Sequence, residues 1–191
     1  MQNTRARTDR ARTFGLAAFF AGAAFHLLLL VSLRTHWLDP FFVEAVGSFG
    51  PAGDFFGIYV AGDNLVRGES IYAPAGRSEG EPRHVPYSYF YRYLPPTACL
   101  AAIPALLLEP WPAYWLWLLL TEGMLLFMVA TLRRLRSPPA PVRLALAGIA
   151  LGFTPFYIEQ FMGQFSLLMA VFLWGAFWPE AAPLRAGNRT G

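Results

Sequence analysis

The chain has 191 residues, 55% of them hydrophobic and only 14% charged, with a formal net charge of +3. Apolar residues at this level, gathered in runs, exclude an ordinary soluble domain and indicate a membrane protein. The positive balance is all arginine, with no lysine, a bias that suggests a GC-rich bacterial source and argues against a nucleic-acid surface. Cys99 is the single cysteine, so no internal disulfide or thiolate metal cluster forms. His26, His36 and His84 are scattered and suggest no metal site.

The expected class is all-α: a polytopic membrane protein with about four transmembrane helices and one large outer loop. Residues 1–13 carry Arg5, Arg7, Arg10 and Arg12 and read as cytoplasmic. The uncharged run 14–33 is about the 20 residues needed to cross ~30 Å of hydrocarbon. It is long for a signal peptide and no small-residue cleavage site follows, so it is read as a retained anchor. His26 lies inside it, as a helix–helix hydrogen-bonding group or as a proton or substrate contact.

Residues 34–111 form the outer loop, and its centre is Gly53 to Tyr72. Phe55, Ile58, Tyr59, Gly62, Leu65 and Val66 share one helical face, while Asp63, Asn64 and Arg67 fall on the other, which predicts an amphipathic helix near 55–67. Asp54 stands at the N-cap position and Gly68 at the C-terminal stop. The Gly-, Ser- and Glu-containing patch Ala75 to Arg83 reads as loop. Tyr87, Tyr89, Tyr91 and Tyr93 suit headgroup level. The run 95–108 is short and interrupted by Pro104, so it is read as a second interfacial helix.

Residues 112–132 are the next span, with Trp111, Tyr114, Trp115 and Trp117 as an aromatic belt at one end and Arg133, Arg134 and Arg136 at the other, which places 133–143 in the cytoplasm. Glu122, inside the span, is a functional carboxylate or a partner for a polar group of another helix. Spans at 144–158 and 164–178 form a short-armed hairpin, and 179–191 is a cytoplasmic tail. Both termini are thus expected in the cytoplasm of a multi-pass cell-membrane protein. The Asn188-Arg189-Thr190 sequon falls on the cytoplasmic side and is discounted.

The order DFFGIYVAGDNLVRGESIY, then RYLPPTACLAAIPALL, a Trp-rich span, and PFYIEQFMGQFSLLMAVFLW resembles the N-terminal half of glycosyltransferase family 87. That family comprises polyprenol-phosphate-mannose-dependent mannosyltransferases of the GT-C superfamily. Two departures stand out: Phe165 and Ser166 follow Gly163-Gln164 where the family usually has Asn, and the chain ends where a family member would continue through further spans.

The resemblance implies that Asp54 occupies the place of the general base. An inverting transfer needs one carboxylate to take the acceptor hydroxyl's proton as that oxygen attacks the anomeric carbon. On residue type alone Asp54 reads as a helix cap; the family position makes it the base, and the two roles can coexist. The donor would be a polyprenyl-phosphate sugar in the bilayer and the acceptor a glycolipid or glycan, with no cofactor, no metal and no nucleic acid. Tyr59, Arg67, Tyr72, Arg92, Tyr93 and Gln164 are the candidate substrate-binding residues. Guanidinium groups suit a lipid phosphate, although outer-loop arginines such as Arg67 and Arg92 more often meet headgroups or acids such as Glu69, Glu79 and Glu81, and tyrosines more often lie in the interface. Gln164 and Glu159, at the outer end of the hairpin, read either as lining of the carrier cavity or as a buried polar helix end. The alternative is a non-catalytic truncated or split-chain relative, acting as a scaffold or with a second chain supplying further spans.

Overall fold

The computed structural model describes residues 2–41, 50–132 and 138–181. Arg133, Arg134, Arg136, Arg185 and Arg189, on which the expected orientation leans, lie outside the described residues. Seven helices order the described chain: α1 Gln2–Thr35, α2 Gly53–Val66, α3 Pro95–Leu107, α4 Pro110–Thr131, α5 Ala140–Leu151, α6 Thr154–Met162 and α7 Ser166–Ala181. The described residues contain no strand, and the all-α polytopic expectation holds.

Among the described residues, three segments are long and apolar enough to cross a membrane: Arg7–Thr35 in α1, Pro110–Thr131, and Ala140–Met162 across α5 and α6. Where the sequence suggests four spans, the last, α7, is a shorter apolar helix of 16 residues, about 24 Å at 1.5 Å per residue. The span expected at 144–158 is longer and broken in two. Leu151 ends α5, and Pro155 occupies the first turn of α6. Proline lacks the N–H that would continue the hydrogen-bond ladder and disfavours a helical residue before it.

Small residues bring two helix pairs together. On α1, Gly15 and Gly22 meet Pro141 and Gly148 of α5, where a side chain would collide with the facing carbonyls. Glycines allow such close approach where lipid supplies no hydrophobic drive between helices. In the second pair, Ala98, Ala101 and Ala105 of α3 are buried and Gly62 of α2 lies against Ala101, while Leu100, Ile103, Leu106 and Leu107 are exposed on the other side of α3.

The one-sided helix expected near 55–67 is corrected by this packing. It begins at Gly53, and every residue from Phe55 to Asn64 is buried. Helices α3, α4 and α6 all touch it, so α2 is a core element, as a helix covered all round must be. Its N-cap is Ala52, in the left-handed region at φ 69°, with no side-chain cap. Asp54 sits inside the first turn and is not the cap. Gly68 adopts φ +72° just past the end, as its position suggests. Phe55, Phe56, Tyr59, Tyr114, Tyr157 and Phe161 interlock in the core around α2.

Candidate active site

Asp54 and Gln164 meet at the junction of α2 with the α6–α7 turn: Gln164 Nε2 donates to Asp54 Oδ2 at 2.9 Å, across 110 positions of sequence. The turn is built for this contact. Gly163 N–H donates to the Gln160 carbonyl and Gln164 N–H to the Glu159 carbonyl at 2.9 Å, the paired bonds of a Schellman ending. Gly163 adopts φ +72°, and a Cβ there would overlap Phe55 Cβ, so both conformation and space call for glycine. The Ala52 N–H donates to the Phe161 carbonyl at 2.7 Å, tying the start of α2 to the end of α6. Gln164 is thereby carried to the first turn of α2.

The partner of Asp54 is a neutral amide that orients one carboxylate oxygen, and among the described residues nothing engages Oδ1. Asp63, nine residues along the same helix, is placed differently. It is 3% exposed and accepts from Arg77 Nε at 3.1 Å and Arg77 Nη2 at 3.2 Å, with Arg67 Nε at 3.2 Å and Arg83 Nη1 at 3.9 Å. Surrounded by guanidinium donors, it is an anchor for the 68–94 segment. Asn64 adds to the anchor by donating to the Ser70 and Ala73 carbonyls. An i, i+4 Asp63–Arg67 pair is legible in sequence; Arg77 and Arg83 carry no such signal.

Tyr93 stands beside the site. Burial, then the neighbouring carboxylates of Asp54 and Glu159, push its hydroxyl up to about 12. Its ring lies 6.0 Å from that of Phe165, which stacks on Trp117 at 4.2 Å. Tyr93 and Gln164 help line a cavity of about 520 Å³, whose walls continue along α3 through Leu100 and along α7 through Leu168, Met169 and Phe172. The polar residues of this groove cluster where both helices begin; its length is apolar.

The remaining sequence candidates are dispersed. Tyr59 is buried, and its hydroxyl donates to the Leu108 carbonyl at 2.7 Å. Arg67 contacts Asp63 and Glu69 and donates to Asn64 Oδ1. Tyr72 is exposed, with its ring 5.6 Å from that of Tyr91. Arg92 is exposed, next in sequence to Tyr93. The structure brings Asp54, Gln164 and Tyr93 together and leaves Tyr59, Arg67 and Tyr72 in other surroundings.

Two intramembrane polar residues find each other. His26 Nε2 lies 2.9 Å from Glu122 Oε1, His26 Nδ1 is 3.1 Å from the Leu151 carbonyl, and Gln160 Nε2 donates to Glu122 Oε2 at 3.1 Å. Glu159 accepts from the Leu167 N–H, placing a carboxylate at the start of α7, where the helix dipole favours it. It also borders a second, apolar cavity of about 450 Å³ between α4, α5 and α7. Among the described residues no group of three His, Cys, Asp or Glu stands together as a metal site.

Fold and site define a polytopic helical membrane protein with a carboxylate oriented by an amide, Gln164, that itself lines a largely apolar groove. The glycosyltransferase family 87 profile matches residues 91–191, more than half of the chain. The chain belongs to glycosyltransferase family 87, and its general class is that of a membrane glycosyltransferase. The matched segment contains Tyr93 and Gln164; Asp54 precedes it. No curated protein and no solved structure matches.

Proposed function

We propose that the chain transfers a hexose, mannose by its resemblance, from a polyprenyl-phosphate donor to an acceptor hydroxyl on the extracytoplasmic side, with inversion. The observation that carries this reading is the Asp54–Gln164 contact beside a groove with a polar end and apolar walls. Asp54 Oδ1 takes the acceptor hydroxyl's proton as that oxygen bonds to the anomeric carbon. The bond from that carbon to the phosphate oxygen breaks, and polyprenyl phosphate leaves with the electron pair. The leaving group already carries charge, so a single base suffices.

Leu100, Leu168, Met169 and Phe172 suit the first isoprenoid units, and Arg92 is the cation nearest in sequence to Tyr93 for the phosphate. Gln164 holds the carboxylate in one orientation without occupying both oxygens. The acceptor is a glycan or glycolipid of the cell envelope.

The test is transfer of labelled mannose from polyprenyl-phosphate mannose into membrane lipids and glycans, by membranes containing this chain or its Asp54→Asn variant. Asparagine keeps an oxygen for Gln164 and removes the base. Incorporation that collapses in the variant, with insertion intact, supports the reading. Equal incorporation by both removes Asp54 from the mechanism. No incorporation, where a longer relative works in parallel, favours the scaffold or two-chain reading.

A further inference from the structure

Helix α6 is only nine residues long and is separated from α5 by the break at Gly152 and Phe153, so covalent continuity does not fix its rotation. Its last turn carries Gln164 to Asp54. Gln160, in that turn, is gripped by α4 at both of its polar ends. The Tyr114 hydroxyl donates to the Gln160 carbonyl at 3.0 Å, and the Gln160 side chain donates to Glu122. Glu122 is braced in turn by His26 of α1, itself 5% exposed.

Proton bookkeeping defines the chain of bonds. A carbonyl only accepts, so the His26 Nδ1 facing Leu151 carries a proton. Gln160 donates to Glu122 Oε2, which leaves one proton to be held between His26 Nε2 and Glu122 Oε1. The pair is overall neutral whether that proton rests on nitrogen or oxygen. A glutamine at 122 satisfies the same chain without any charge: its amide donates to a bare Nε2 and its carbonyl accepts from Gln160.

We propose that His26, Glu122 and Gln160 are positioning residues that set the Asp54–Gln164 contact from within the membrane, acting through hydrogen bonds and not through charge. The catalytic consequence rests on the reading of Asp54 as base; the geometric consequence does not. Buried polar groups in a membrane are costly unless partnered, and this chain ties α1, α4 and α6 together at the turn that bears Gln164. A proton-carrying role for Glu122 makes the opposite demand, since glutamine cannot titrate.

The first arm reads geometry alone. In a Cys99→Ser background, Asp54→Cys and Gln164→Cys are bridged by a short thiol reagent that fluoresces only when both ends react. Adding Glu122→Gln leaves the bridging yield unchanged. Adding Glu122→Leu, or the gentler, volume-conserving Gln160→Met, which spares the His26–Glu122 pair, lowers it roughly tenfold, within the range of couplings between neighbouring residues. Each protein is first shown to be monodisperse in detergent. Undiminished bridging in folded Gln160→Met overturns the proposal, as does a yield in Glu122→Gln as low as in Glu122→Leu.

The second arm uses native Asp54 and Gln164 and reads transfer. Gln160→Met lowers kcat by up to about tenfold, no more than loss of the Gln164 amide itself costs and within what a small misplacement at a reacting centre does, with KM little changed, and Glu122→Gln retains the parental kcat. Normal bridging behaviour with no transfer by any protein, the parent included, overturns the catalytic consequence for this chain acting alone and leaves the positioning device standing. A rise in KM alone, with kcat constant, overturns the catalytic part.

Discussion

Gly163 lies flush against Phe55, with no room between them for even a methyl group. This contact sets the residue before Gln164 against the residue after Asp54, and so places the two polar partners. Gly163→Ala is both strained at φ +72° and in collision, and costs about 1–3 kcal/mol. Thermal unfolding in detergent should show a lowered Tm, and transfer should fall further than stability explains. A variant with parental Tm and parental transfer contradicts the account of this turn.

Gln164→Leu keeps the charge of Asp54 and removes its one observed donor. We expect transfer to fall about tenfold through kcat, less than the ~10²–10⁴ that loss of a general base typically costs in Asp54→Asn. Steady-state kinetics of the two variants side by side check the order; a larger loss in Gln164→Leu would assign the amide a direct role on substrate.

Asp63→Ala leaves Arg77 and its neighbours without their shared partner. The aspartate is buried but the arginines are about a quarter exposed, so the expected loss, about 1–3 kcal/mol, is smaller than for a fully buried pair. Release of the 68–94 segment should appear as faster trypsin cleavage after Arg77 and Arg83 in membrane vesicles. Cleavage at the parental rate would show that other contacts hold this segment.

Alkaline pH tests the tyrosines of the same loop. Burial pushes both Tyr87 and Tyr93 from the ordinary value of 10.0 up to about 12. A raised folded-state value means the folded protein holds these protons more tightly than the unfolded chain. Their contribution is complete below pH 10 and is lost as pH rises toward 12. The Tm should drop through this window, and less steeply in the Tyr87→Phe, Tyr93→Phe double variant. Parallel curves would deny the tyrosines this part in alkaline unfolding.

Much of the architecture was legible from local pattern. The run at 14–33, and all but the last residue of 112–132, lie within helices long enough to span, Pro95 opens a short apolar helix, and Gly68 lies just past the end of α2. What misled was periodicity in α2. Asp63, Asn64 and Arg67 on one side looked like a solvated face, because sequence spacing does not show that Arg77 and Arg83 fold back to neutralise Asp63. Pro155 breaks the third expected span, 144–158, but hydropathy averages across such a break and read α5 and α6 as one short run.

The sequence by itself determined that this is a helical membrane protein, where its apolar runs lie, and which residues were worth testing, since hydropathy, proline and glycine act within a few residues of themselves. Only the tertiary structure separated Asp54 from Asp63, brought Gln164 and Tyr93 to the former, and joined His26 to Glu122 and Gln160. Those pairings depend on backbones approaching closely at Gly22, Gly62 and Gly163, and on side chains distant in sequence sharing one low-dielectric interior. There a polar group must find a partner, and which partner it finds is decided by packing.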